Sequence, residues 1–111
     1  MKTKQVIKAL SALAQESRLA VFRLLVEAGP AGLAAGKIGE TLDIPAATLS
    51  FHLKELSNAD LLVSHQEGRF VIYAVNFPAM TDLMGFLTDN CCGGQPCVTL
   101  PTAAIKKKNR L

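Results

Sequence analysis

The run Pro45-Ala46-Ala47-Thr48-Leu49-Ser50-Phe51-His52-Leu53-Lys54-Glu55-Leu56-Ser57-Asn58 decides the fold, together with the two that follow it, Leu62-Val63-Ser64-His65-Gln66 and Phe70-Val71-Ile72-Tyr73-Ala74-Val75. In the first, Leu49, Leu53 and Leu56 recur at helical spacing, which predicts a buried face with His52 beside it. Pro45 stands where a first-turn proline is tolerated, because its missing N–H would be unpaired there anyway. The second and third runs are rich in β-formers and flank Glu67-Gly68-Arg69, a hairpin turn. Upstream, Gly36 to Leu42 predicts a short helix with Ile38 and Leu42 as its apolar contacts, joined to the next by a tight connection at Asp43-Ile44. Two short helices, a tight turn and then a hairpin make the winged form of the helix-turn-helix unit.

Working outward, Ile7, Leu10, Leu13 and Ala14 form a helical stripe over Val6 to Ala14. Gln15-Glu16-Ser17 breaks it, and Leu19, Phe22, Leu24, Leu25 and Val26 restart it until Gly29-Pro30 ends the second helix. A Gly/Ala loop from Pro30 to Ala35 leads into the short helix, and Met80, Leu83, Met84 and Leu87 predict a last helix from Pro78 to about Asn90. The expected fold is mainly α, with about five helices and a two-stranded wing. The 111 residues suffice for one modest domain, and a chain that is 50% apolar and 19% charged is globular, not disordered. A net charge of +3 and a pI near 8.9 permit nucleic-acid binding without demanding it. No apolar run is long enough to cross a bilayer, and Met1-Lys2-Thr3-Lys4 precedes an amphipathic segment, not a signal-peptide core. A cytoplasmic protein without a membrane partner is expected.

The helix from Pro45 to Asn58 would enter the DNA major groove. Opposite its leucine face it carries Ala47, Phe51 and Lys54, flanked by Thr48 and Ser50. Hydroxyls can bond base edges or phosphates, Lys54 can neutralise a phosphate, and Phe51 can touch a thymine methyl. Arg69, at the wing tip, can reach a phosphate or the minor groove. His52 reads as a half-buried core residue and His65 as a solvent-facing strand residue. Neither has the acid or nucleophile company that catalysis requires.

Beyond the last helix, Cys91-Cys92-Gly93-Gly94-Gln95-Pro96-Cys97 packs all three cysteines of the chain into seven residues. In a reducing compartment an odd, clustered set reads as metal-binding or redox-active thiols, not as a disulfide framework. Three thiolates on a Gly/Gly/Pro segment can turn inward into a soft, three-coordinate pocket suited to a thiophilic ion. The rival is a redox switch, in which the same thiols form a disulfide or persulfide. A thiol-dependent arsenate reductase would want an anion-cradling loop and a cation near the attacking sulfur, and Cys92-Gly93-Gly94-Gln95 offers no arginine. No enzyme is expected. Lys106-Lys107-Lys108-Asn109-Arg110 reads as a solubilising tail able to add phosphate contacts.

Ser50-Phe51-His52-Leu53-Lys54-Glu55-Leu56, continuing through Ala59-Asp60-Leu61-Leu62 to Glu67-Gly68-Arg69 and Tyr73, resembles the recognition helix and wing of the ArsR/SmtB family of metalloregulatory repressors. Leu13-Ala14, Ser17-Arg18-Leu19 and Phe22-Arg23-Leu24-Leu25 resemble its second helix, so the likeness runs from about Val6 to Leu87. The resemblance implies a homodimer that holds an inverted repeat of double-stranded operator DNA and leaves it when a metal or metalloid binds. It also implies a dimer interface of the first and last helices, giving the stripes Ile7/Leu10 and Leu83/Leu87 a partner. Residues 1–92 would form the DNA-binding and dimerisation domain, and 91–111 the sensor segment and tail.

Two family sites are missing here. Ile38-Gly39-Glu40-Thr41-Leu42 lacks the Cys-x-Cys pair of many arsenic-responsive members, and Phe77 to Leu87 offers only Asp82 where zinc and cobalt sensors place Asp and His ligands. Cys91, Cys92 and Cys97 resemble instead the C-terminal cluster of arsenite-responsive members. The chemistry agrees, since trivalent arsenic and antimony favour three sulfurs in a pyramid, whereas structural zinc takes four protein ligands. Arsenite, As(III), is therefore the expected inducer, with Sb(III) as its chemical neighbour. Gathering three sulfurs at the end of the dimerisation helix would alter its last turn and the spacing of the two recognition helices.

Overall fold

A computed structural model describes residues 1–90 and Gly93. The chain order is α1 (Thr3–Leu13), α2 (Glu16–Ala28), a 3-10 turn (Gly29–Ala31), β1 (Leu33–Ala34), α3 (Ala35–Leu42), α4 (Ala46–Asn58), β2 (Leu62–Glu67), β3 (Phe70–Val75) and α5 (Phe77–Leu87). This is the expected winged helix-turn-helix, with five α-helices and a small antiparallel sheet.

Each boundary has a local cause. Gln15, read as a polar break, caps α2: its side-chain oxygen accepts from the backbone N–H of Arg18 at 2.8 Å. Gly29 at φ 76 ends that helix in a conformation that side chains resist. Between α3 and α4 the chain reverses through Asp43, left-handed at φ 55, and the N–H of Ile44 returns to the carbonyl of Gly39 at 3.0 Å. A β-carbon on Gly39 would lie 3.1 Å from the Ile44 carbonyl oxygen and 3.3 Å from the Leu49 side chain, so the absence of one lets the two helices close. Pro45 is the N-cap of α4, one position before the first helical turn where the sequence placed it; at ψ 146 its backbone is still extended. Its carbonyl accepts from the N–H of Leu49 at 2.9 Å.

The segment read as a Gly/Ala loop contributes β1, which adds a third strand to the wing in the order β1-β3-β2. Leu33 pairs with Tyr73 and Ala34 with Ile72, while β2 and β3 pair from Leu62 opposite Val75 to Glu67 opposite Phe70. Gly68, at φ 63, and Arg69 form the turn. Asn76 locks the base of the hairpin. Its N–H donates to the Leu61 carbonyl at 2.9 Å, its side-chain amide donates to the Asp60 carbonyl at 3.0 Å, and its side-chain oxygen accepts from Ala79, capping α5.

The core gathers Val21, Leu25, Ile38, Leu53, Leu56 and Leu61, all fully buried. Of the two stripes expected to meet a partner, Ile7, Leu10 and Leu87 lie outside and Leu83 does not. In α1 the buried side chains are Val6, Ala9 and Ala12, while Ile7 and Leu10 are 57% and 38% exposed. In α5 Leu83 is buried in its own chain, and Phe86 and Leu87 stay outside. The small alanines let α1 sit close on α2 and α4, which turns the larger side chains away. No helix among the described residues is long and apolar enough to cross a membrane.

Gly32, at φ 69, is where β1 approaches β3: an added β-carbon would strike the Tyr73 carbonyl oxygen and lie 2.9 Å from its carbonyl carbon. Gly32→Ala is expected to lower stability by about 2 kcal/mol or more, from left-handed backbone strain plus displacement of β3. A shift of the urea midpoint at unchanged slope would record it, and an unchanged midpoint would refute this account of the residue.

Candidate nucleic-acid interface

The candidate surface starts from the division of α4 into two faces. Leu49, His52, Leu53 and Leu56 are buried, and Ala47, Thr48, Ser50, Phe51 and Lys54 are exposed. Residues 47, 51 and 54, at steps of four and three, lie along one line of the helix. A small side chain, an aromatic ring and an ammonium group thus share one ridge, flanked by the hydroxyls of Thr48 and Ser50. Phe51 is 55% exposed, so its ring is free to meet an apolar partner. Arg69 is exposed at the hairpin turn, and the structure brings it to the tip of a sheet anchored to α4 through Leu61 and Leu62. The wing also exposes Val63, Phe70 and Val71. Sequence reading missed Phe70: alternation marks it as a strand residue, but only the pairing with Glu67 shows it at the open end.

His52 is more deeply set than the half-buried residue expected, at 6% exposure. Its ring stands 5.7 Å from that of Phe51 at an interplanar angle of 59°. Its Nδ1 is buried without a hydrogen-bond partner. Burial, and secondarily the Arg18 guanidinium, holds its pKa below the ordinary 6.5, so the neutral ring is the folded form. Arg18 is itself a tie that sequence could not reveal: its Nε donates to the Ala12 carbonyl at 2.7 Å, joining the start of α2 to the end of α1. His65 is exposed, as expected, and its Nε2 lies 2.7 Å from a carboxylate oxygen of Glu67 on the same strand.

The predicted metal ligands Cys91, Cys92 and Cys97 lie outside the described residues. Among the described residues no three His, Cys, Asp or Glu side chains gather closely enough to hold a metal ion.

Residues 13–65 match the family model of a helix-turn-helix domain. An ArsR-like transcriptional regulator from Rhodococcus sp. RHA1 superposes with a TM-score of 0.67 at 21% identity, over 76% of this chain and 76% of that one. The chain shares the winged helix-turn-helix fold of that regulator. Two relatives from Bacillus subtilis strain 168 agree. The uncharacterized HTH-type transcriptional regulator YceK is 40% identical over 65 residues, 59% of this chain. The transcriptional repressor SdpR is 29% identical over 55 residues, 50% of this chain. The match spans 61% of the length of each. These are similarities to regulators and not to enzymes, in agreement with the sequence reading.

His52 makes stability pH-dependent in a stated direction. Its folded pKa is depressed, so the unfolded chain takes up the proton first; the stabilisation is fully present above 6.5 and is lost as pH falls from there through the lower folded value. Denaturant midpoints measured from about pH 7.5 to pH 5 should fall less steeply in His52→Gln than in the parent. Parallel slopes would remove His52 as a source of acid sensitivity.

Proposed function

We propose that this chain is a cytoplasmic, homodimeric repressor that binds an inverted repeat of double-stranded DNA and leaves it when As(III), or its analogue Sb(III), is bound by Cys91, Cys92 and Cys97. The observation that carries the DNA half is the two-faced α4: one side is committed to the core, and the other presents Ala47, Thr48, Ser50, Phe51 and Lys54 beside Arg69 at the wing tip. Thr48 and Ser50 bond base edges or phosphates, Lys54 and Arg69 neutralise phosphates, and Phe51 packs on a thymine methyl. The similarity to SdpR, a repressor, supports the direction of control.

Dimerisation is supported by the apolar side chains that α1 and α5 leave outside. Ile7 and Leu10 on one helix, and Phe86 and Leu87 on its neighbour, are each more than a third exposed. The working surface is thus Ile7/Leu10 with Phe86/Leu87, Leu83 having been drawn into the core. Residues 1–92 carry DNA binding and assembly, and 91–111 carry the sensor. The trio of thiols that follows α5 in the sequence supports a metalloid inducer, since three sulfurs complete the shell of trivalent arsenic and leave zinc one ligand short.

Fluorescence anisotropy of a labelled inverted-repeat duplex tests both halves. Reduced protein is expected to bind, stoichiometric arsenite to release it, and Cys97→Ser to stay bound in arsenite. Release by peroxide with no response to arsenite would replace the metalloid sensor with a thiol redox switch, and absence of binding would reject the DNA reading. Lys54→Ala removes one phosphate contact per subunit, so the slope of log affinity against log salt should fall in magnitude by about 1.8 per dimer. An unchanged slope would take Lys54 off the phosphates.

A further inference from the structure

Toward its C-terminal end the exposed face of α4 carries two further polar residues, Glu55 and Asn58, each four positions after Phe51 or Lys54. Glu55 and Asn58 line an open cleft of about 450 Å³ together with Lys8 and Ser11 of α1 and Arg18 of α2. Two cations and one carboxylate therefore share a single concavity. Among the described residues the ion pairs are Lys37 with Glu40 and His65 with Glu67, and none joins Lys8, Arg18 or Glu55 to an opposite charge.

Arg18 is held ready. Its Nε is occupied by the Ala12 carbonyl at 2.7 Å and its backbone N–H by Gln15 at 2.8 Å, which fixes the stem and leaves the terminal amino groups of the guanidinium as donors. Arg18 and Glu55 are both half-buried, so each has lost part of its hydration without gaining a charged partner. A ligand with both signs of charge would satisfy the two together. A phosphate would suit Lys8 and Arg18 but meet the carboxylate of Glu55, and a metal cation would suit Glu55 but meet two positive groups.

The cleft borders the apolar face of α1. Lys8 sits about 100° round the helix from Ile7 and about 160° from Leu10, whereas Ser11 lies one turn on from Ile7, at the edge of that face.

We propose that the cleft between α1, α2 and α4 binds a small zwitterion of the α-amino-acid class, its carboxylate on Arg18 and Lys8, its ammonium on Glu55, and its remaining polar groups on Ser11 and Asn58. Binding stands on this geometry alone. Its regulatory consequence rests on the DNA-binding reading: Glu55 and Asn58 share α4 with Phe51 and Lys54, so an occupant of the cleft bears directly on the helix that faces DNA. By linkage, a ligand that prefers one placement of α4 shifts DNA affinity by as much as DNA shifts its own.

The test is a ¹H–¹⁵N correlation titration of the full chain with glycine, L-serine, L-glutamine, L-glutamate and L-leucine, and separately with acetate and with methylammonium. At least one amino acid should give saturable shifts centred on the amides of Lys8, Ser11, Arg18 and Asn58, and bind at least about tenfold more tightly than acetate or methylammonium. Lys8→Gln and Glu55→Gln should each weaken that binding by about tenfold or more, with thermal unfolding checked to show that both variants remain folded. No saturable shift with any of the five up to about 10 mM, equal binding of acetate alone, or binding indifferent to Glu55→Gln would each overturn the proposal. Operator anisotropy is read separately: its failure rejects the DNA reading and leaves the titration to decide the site.

Discussion

Burial of the stripe Leu49, Leu53 and Leu56 is the constraint on which the rest of this molecule depends. Each of these side chains is almost wholly removed from water, and burying one leucine contributes about 1.5–3 kcal/mol. The geometric consequence is larger than the energetic one. A helix with one face fixed in the core has no rotational freedom left, so Ala47, Phe51 and Lys54 can only point outward. The tight turn at Asp43 sets where α4 begins, and the hydrogen bonds of Asn76 set where the wing stands relative to its end. A surface able to read a groove is thereby held by the same interactions that hold the fold.

Much of this could be read from the residues, and what could not has identifiable causes. The helices declared themselves through leucines and isoleucines at steps of three and four, and the wing through two β-rich runs about a glycine turn. β1 escaped because two residues, Leu33 and Ala34, carry no periodicity; the strand exists through its pairing with Tyr73 and Ile72. The face that α1 buries in its own chain was not legible, because hydrophobicity marks Ile7 and Leu10, whereas close helix packing uses Val6, Ala9 and Ala12. The same competition between size and fit moved Leu83 inward and left Phe86 and Leu87 outside. The outward face of α4 was legible because it is the complement of a strong apolar stripe. The cleft was not, since Lys8, Arg18 and Glu55 belong to three helices and no local pattern joins them.

His52 and Arg18 show how the ridge of α4 and the cleft at its C-terminal end are connected. His52 lies one residue from Phe51 on the exposed ridge, three from Glu55 on the cleft, and close enough to Arg18 to feel its charge. Its buried, unpartnered nitrogen means that this corner of the core tolerates a neutral ring and resists a charged one. Residues that α4 shows at the ridge and at the cleft are thus backed by one poorly compensated polar group, where a small displacement has an energetic cost.

That arrangement sets what a regulatory signal must achieve here. A tenfold change in DNA affinity requires a coupling of only about 1.4 kcal/mol between effector and operator. A displacement of α4 would alter all of its proposed phosphate and base contacts at once, and symmetry would double the effect in a dimer. On the proposed function, an ion gathered beyond the end of α5 would act on α4 indirectly, through the packing of α1 against α5 and α4. A ligand bridging Arg18 and Glu55 would act on α4 itself. The two proposed ligands would thus reach one helix by different routes, and because both converge on the helix held by Leu49, Leu53 and Leu56, their coupling energies need not add.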